Sequence, residues 1–246
     1  MRIALMADIH ANREAFEACL AHARGQRPDR WVFLGDYVNY GADPEWVVGE
    51  LMRRADAGAV VLLGNHDAAV GERGSSMTSP AELALEWTRV QLGPAERKFL
   101  SGLPLIREED DIVFVHADPA APSKWGYVTD VQDAGRGMRS AGGRVTICGH
   151  VHKPAVYSLS PAAKITVFRP VEGVPVPLLA QRRWLAVVGS VGQPRDGNPA
   201  AAYAMFDTAT GDLTTFRVPY DVDAAAGKIR AAGLPESLAE RLKWGV

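Results

Sequence analysis

A chain of 246 residues, 47% apolar and 23% charged, is long enough to bury the core of one domain and demands no second. Its formal net charge of −2, with no run of like charges, excludes a global attraction to nucleic acid or anionic membrane, so a polyanionic partner would have to meet a local patch. The first apolar stretch ends at Asp8, too soon for a signal core or a membrane span, and Cys19 and Cys148 lie in apolar patterns that suit buried free thiols; both features point to a cytoplasmic protein.

In chain order, residues 3–7 read as a strand, Phe16, Cys19, Leu20 and Ala23 as one face of a helix, and residues 31–34 as a second strand. The unit repeats: Asp43-Pro44 opens a helix with Val47, Val48 and Leu51 on its apolar face, and residues 59–63 form the next strand. Strand-helix-strand units of this length imply a mostly parallel sheet covered by helices. Composition turns to Gly, Ser and Thr over 71–79, and two amphipathic helices follow, over 83–92 and from Gly93-Pro94 to Leu100. We read 71–102 as a small helical cap inserted in a single domain spanning 1–246. Strands resume at 112–115 and 145–148, with a helix over 131–138 between them. The last third carries strand-like runs at 155–158, 165–168, 184–188, 203–207 and 213–218, with a hairpin loop at 208–212, and reads as antiparallel. Helical patterns at 224–232 and 236–243 close the chain.

The polar residues with chemistry to offer follow these apolar runs: Asp8 and His10, Asp36, Asn65 and His66, His116, and then His150 and His152. In an open α/β sheet the carboxyl ends of neighbouring strands converge on one crevice, which brings together donors spread far apart in sequence. Imidazole suits Fe, Zn and Mn, and a carboxylate can bridge two cations. The pattern is that of a metallohydrolase.

The blocks Asp8-Ile9-His10, Gly35-Asp36, Gly64-Asn65-His66-Asp67, His116 and Gly149-His150-Val151-His152, in that order over roughly residues 1–155, resemble those of the calcineurin-like metallophosphoesterases. The segment Gly189-Ser190-Val191-Gly192-Gln193-Pro194-Arg195-Asp196-Gly197 resembles one found in a bacterial branch of predicted phosphodiesterases or phosphatases. The resemblance implies an α/β fold, a four-layer α-β-β-α sandwich of two mixed β-sheets flanked by helices, with a dinuclear site at one end. It implies two divalent transition metals (Mn, Fe, Zn or Ni), one held by Asp8, His10 and His152, the other by Asn65, His116 and His150, with Asp36 bridging. It further implies hydrolysis of a phosphate mono- or diester by in-line attack of a metal-bridging hydroxide, with His66 binding phosphate and protonating the leaving oxygen. Hydrolysis of a nucleotide or dinucleoside polyphosphate is the alternative, and a non-catalytic scaffold on the same fold is another.

The chain departs from the related protein phosphatases within residues 35–41, where Asn39 and Tyr40 stand in place of the acid and arginine of GDxxDRG. Loss of that arginine argues against a protein serine/threonine phosphatase. The expected partner is a small phosphorylated substrate, with no stable nucleic-acid complex and no membrane; the oligomeric state is not legible. Arg195, Asn39, Asn12, Trp125 and Tyr127 are the expected substrate contacts.

Overall fold

The structure, a computed structural model, describes residues 1–71 and 79–246, so most of the Gly/Ser/Thr stretch over 71–79 lies outside the described residues. The chain opens with β1 (Arg2–Met6), α1 (Arg13–Gly25), β2 (Arg30–Phe33), α2 (Pro44–Asp56) and β3 (Val60–Val61). These three strands pair in parallel, as their helical crossovers require. There follow α3 (Asn65–Ala69), α4 (Ser79–Gln91), α5 (Pro94–Ser101), β4 (Ile106–Glu109), β5 (Ile112–Val115), α6 (Val131–Ser140) and β6 (Val145–Cys148). The last third holds β7 (Ala155–Leu159), β8 (Ile165–Phe168), β9 (Val176–Pro177), β10 (Arg183–Val187), β11 (Ala201–Asp207), β12 (Asp212–Val218), α7 (Val222–Ala231) and α8 (Glu236–Trp244).

Among the described residues the strands form two mixed six-stranded sheets, in the orders β3-β2-β1-β11-β12-β9 and β4-β5-β6-β10-β7-β8. The period-two alternation of β1 shows why they stack. Ile3, Leu5 and Ala7 point between the sheets, where they meet Val32, Leu34, Phe114, Ile147 and Ala186. Ala4 and Met6 point outward with Phe33, beneath Phe16 and Leu20 of α1 and Val48 and Leu51 of α2. On the far side, Val115, Cys148, Leu185 and Val187 are covered by Ala134 and Met138 of α6. The result is helix, sheet, sheet, helix, and each fully buried Phe or Leu contributes about 1.5–3 kcal/mol to holding the layers. Cys19 and Cys148 are free, buried in different clusters, and their burial pushes both thiol pKa values up.

Several elements differ from the reading of the sequence, the two-residue strand β9 among them. β10 pairs antiparallel with β7 but parallel with β6, so the last third is not wholly antiparallel; the long excursion after β8 lets the chain re-enter the sheet alongside β6. β4 escapes notice because Arg107, Glu108 and Glu109 interrupt its apolar pattern, as is common on an edge strand. The Gly64-Asn65-His66-Asp67 block, to which the sequence reading gave no element, opens a short helix, α3, with Gly64 as its N-cap. Helices α7 and α8 pack together and against α4, where Ala81 and Ala84 meet Ile229 and Leu238 in a cluster that also takes in Tyr40.

Candidate metal centre

Every candidate donor lies within four residues of the end of a strand: Asp8 after β1, Asp36 after β2, Asn65 after β3, His116 after β5, and His150 and His152 after β6. The loops turn abruptly. Asp8, His10, Ala11, Asp36, Asn39, Tyr40, His150 and His152 all take left-handed backbone, with φ between 49° and 70°. Each such residue costs on the order of 1–2 kcal/mol, strain that persists only where surrounding packing enforces it. The loops also nest without room for side chains: a Cβ at Gly64 would lie 2.2 Å from the Asp36 nitrogen, and one at Gly192 would lie 1.8 Å from the Ile9 carbonyl oxygen.

These turns aim the side chains at one point. Asp8, His10, Asp36 and His152 each offer a ligand atom within 4.8 Å of the others, and so do Asp36, His116 and His150. Asp36 is common to both groups. Asn65 joins the second through Oδ1, 3.2 Å from His116 Nε2.

The four histidines are oriented by the backbone. His10 Nδ1 donates to the Val38 carbonyl, His116 Nδ1 to Leu34, His152 Nδ1 to Gln193 and His150 Nε2 to Trp125. Each ring thereby spends one N–H outward and turns its other nitrogen, a lone pair in the neutral ring, toward its neighbours. His10 Nε2 then faces His152 Nε2 at 3.2 Å, and His116 Nε2 faces His150 Nδ1 at 3.1 Å. Two lone pairs at that distance repel unless a cation or a proton lies between them. Adjacent ligands on one ion with bonds of roughly 2.0–2.1 Å sit about 3 Å apart, so the spacing suits a metal. Asp36 Oδ2 is buried without a hydrogen bond of good geometry, ringed by His116 Nε2 at 3.2 Å, His10 Nε2 at 3.8 Å and His66 Nε2 at 3.9 Å. The donor set fits divalent metal ions.

Protonation preferences describe the same field. Burial, the largest effect, pushes the Asp8 carboxyl up to about 8, with nearby Asp36 adding to the rise against His116. Burial also raises the cost of charging Asp36, but His116, His66 and His10 outweigh it and hold that carboxyl well below its usual range. For His116 burial opposes the charge, yet Asp36 and Asp8 lift its pKa to about 9, so a proton sits where a cation would. Burial drives His150 down to about 3 and keeps His10 and His152 well below their usual value, which leaves their lone pairs free to bind metal.

His66, at the second position of α3, stands beside Asp36 with its backbone N–H donating to Asp36 Oδ1. Its partner is an amide. Asn39 Oδ1 accepts the Tyr40 N–H and Nδ2 donates to the Ala81 carbonyl, which fixes the orientation; Nδ2 also lies 2.8 Å from His66 Nδ1. His66 Nδ1 is therefore the acceptor, and the ring proton resides on Nε2, facing the Tyr40 hydroxyl at 3.2 Å and the Asp36 side.

Two contributors were not singled out from the sequence. The Asp67 carboxylate accepts the backbone N–H of Asp36, Tyr37 and Gly64, tying the second loop to the third; a short acid three residues past the N-cap Gly64 is the signal of a local cap. Tyr40, noted only as a replacement for arginine, packs its ring 4.5 Å from His10 and beneath the Arg195 guanidinium.

Of the expected substrate contacts, Asn12 is occupied elsewhere. Its Oδ1 caps α1 by accepting the Ala15 N–H, and its Nδ2 donates to the Gly192 carbonyl and the Tyr220 hydroxyl. Asn39 is committed to His66. The Arg195 backbone N–H donates to the His152 carbonyl and its side chain to Gln193, while Nε is buried without a partner. Trp125 supplies the carbonyl that orients His150 and sets its ring edge-on to His116. Tyr127 stacks on His150 at 4.1 Å and is 52% exposed, so one face is open.

A family model described as the calcineurin-like phosphoesterase superfamily domain matches residues 1–211. An uncharacterized protein of Methanocaldococcus jannaschii is 35% identical over 99% of this chain and 98% of its own. The crystal structure of a metallophosphoesterase from Sphaerobacter thermophilus superposes with a TM-score of 0.88 at 34% identity, covering 100% of this chain and 99% of that one. A protein of Pyrococcus horikoshii shares the fold at a TM-score of 0.82 and 18% identity, covering 100% of this chain and 98% of its own.

Proposed function

Since the chain belongs to the calcineurin-like phosphoesterase superfamily, we propose that it is a dinuclear metal-dependent hydrolase of phosphate mono- or diesters. The reading is carried by one observation: two pairs of histidine nitrogens, each already turned inward by a carbonyl on its other side, flank the one unsatisfied oxygen of Asp36. Asp8, His10 and His152 would hold one cation, Asn65, His116 and His150 the other, with Asp36 shared. Bound there, the cations would supply Lewis acidity toward phosphoryl oxygens and toward a water. The donor set of imidazole, carboxylate and amide oxygen accepts Mn, Fe, Zn or Ni without choosing among them.

The chain's own residues do the rest. The backbone carbonyls of Val38, Leu34, Gln193 and Trp125 keep the four ligand imidazoles in the required tautomers, so no reorganisation is needed when substrate arrives. His66 presents Nε2–H to the phosphoryl group. Because Asn39 donates to Nδ1, a second proton there would face an N–H, and burial lowers the His66 pKa further. His66 thus acts as a neutral hydrogen-bond donor to the developing negative charge on oxygen, not as an imidazolium that gives its proton away. Leaving groups that tolerate departure with a hydrogen bond and no full proton transfer are favoured.

The test is a screen of the metal-reconstituted protein against aryl phosphates, alkyl phosphates and phosphodiesters. We expect turnover that requires added metal and that chelation reverses. A protein that takes up two metals per chain and hydrolyses no ester would overturn the reading.

A further inference from the structure

A cleft of about 700 Å³ opens beside the metal centre, within the range that accommodates a drug-sized or nucleotide-sized ligand. It adjoins the centre at two of the candidate ligand residues. Tyr127, on its wall, stacks on His150, and Arg195 is bonded through its backbone to His152. Its far wall is the exposed face of the edge strand β8, with Phe168 and then Arg169, and Lys153 comes from the loop after β6.

The lining has a chemical bias that the whole chain lacks. Lys153, Arg169 and Arg195 all line it and no acid does, in a protein whose net charge is −2. Among the described residues, the side chains of Lys153 and Arg169 make no hydrogen bond or ion pair. The arginines of another cleft, by contrast, are engaged: Arg144 with Asp111, Arg182 with Ser158, and Arg183 with the carbonyls of Met138 and Ala141. Arg195, whose buried Nε has no hydrogen-bond partner, adds a third cation to the lining. The same lining carries two exposed aromatic rings, Tyr127 and Phe168, the second 39% exposed. Cations without counter-ions select an anion, and open aromatic faces select a planar ring.

Resting on the phosphoesterase reading, we propose that this cleft receives the part of the substrate beyond the phosphoryl group at Asp36, and that this part carries a planar ring and at least one further phosphate, the chemistry of a nucleoside polyphosphate. The terminal phosphoryl group lies at the metal centre, where water breaks its anhydride bond instead of an ester bond by the same chemistry; the phosphate that leaves still attached to the nucleoside meets Arg195, Lys153 and Arg169, and the ring stacks on Tyr127 or Phe168. A simple alkyl or aryl monoester fills only the first of these positions.

The test is equilibrium binding of the metal-reconstituted full-length chain, by calorimetry, to three probes: the methylene-bridged analogue of ADP, which is not cleaved at its bridge; methylenediphosphonate, which has the charge and no ring; and adenosine, which has the ring and no charge. The ADP analogue should bind about tenfold more tightly than either of the others. The Lys153→Ala/Arg169→Ala double variant should lose roughly tenfold in that affinity. The Arg53→Ala/Lys98→Ala pair, which alters the net charge equally outside the cleft, should leave it unchanged. Equal affinity for the ADP analogue and methylenediphosphonate, or an effect of the cleft variant no larger than that of the control, overturns the proposal. Because binding and not turnover is read, such a failure leaves hydrolysis of simple esters standing, and a protein inactive on every ester could still bind the probe.

Discussion

The Asn39 amide makes His66 a different instrument from an acid-backed histidine. A carboxylate would accept a proton-bearing Nδ1 and favour the imidazolium; the amide donates to Nδ1 and disfavours it. Replacing Asn39 by Asp should therefore add a descending alkaline limb to the pH profile of kcat, since an imidazolium must stay protonated to act. The wild type should show no such limb from His66, because its neutral Nε2–H persists as pH rises. A wild-type limb abolished by His66→Ala would refute the donor role. Removing the ring in His66→Ala should cost about 10²–10³-fold in kcat, the scale of one preorganised donor, while metal content by elemental analysis stays near wild type. Asp36→Ala should instead lose both activity and bound metal, because the shared carboxylate belongs to each donor group. The sequence displayed the candidate donors, since each follows an apolar run; it did not show which ring nitrogen would face inward, because that depends on carbonyls such as Gln193 and Trp125, distant along the chain.

At the scale of elements, the loop after β1 is pinned from three sides. The Asn12 side chain caps α1, reaches the Gly192 carbonyl and meets Tyr220, just ahead of α7, so one amide joins the start of the chain to its last third. Asn12→Ala should lower stability by about 1–2 kcal/mol, read from the urea midpoint at constant m-value, through loss of the cap and of a buried hydrogen bond. The Michaelis constant should not change beyond what altered metal occupancy explains; a raised KM at full occupancy would restore Asn12 as a substrate contact. Gly192→Ala acts on the same junction, since its Cβ would run into the Ile9 carbonyl and shift the loop that bears Asp8 and His10. The strand-helix alternation of the first third was legible from periodicity. The parallel pairing of β10 with β6 was not, because a strand's period gives its faces and never its neighbours.

At the scale of the molecule, the centre makes the stability of the metal-free protein depend on pH in both directions. His150 has its pKa lowered from 6.5 to about 3, so below 6.5 the unfolded chain binds a proton the folded one refuses, and stability is lost as pH falls. His10 and His152 act in the same sense. Asp8, raised from 3.8 to about 8, and His116, raised from 6.5 to about 9, work oppositely: the folded state holds their protons more tightly, a contribution present at low pH and lost as pH rises through those values. The melting temperature of the metal-free protein should therefore peak at about pH 6.5 and decline toward both pH 5 and pH 9. Metal loading should flatten the alkaline side, because cations replace the protons on Asp8 and His116; an alkaline decline that survives loading would count against those residues as ligands. No helix among the described residues is long and apolar enough to cross a membrane. By itself the sequence determined the layered α/β character, through periods of two and 3.6, and the identity of the donors, through short motifs set behind apolar runs. Only the tertiary structure decided which lone pairs face one another, that Asn39 donates to His66, that Asn12 is a cap, and that Lys153 and Arg169 meet Tyr127 and Phe168 around one cleft. Such facts depend on distances between segments far apart in the chain, and local periodicity carries no information about them.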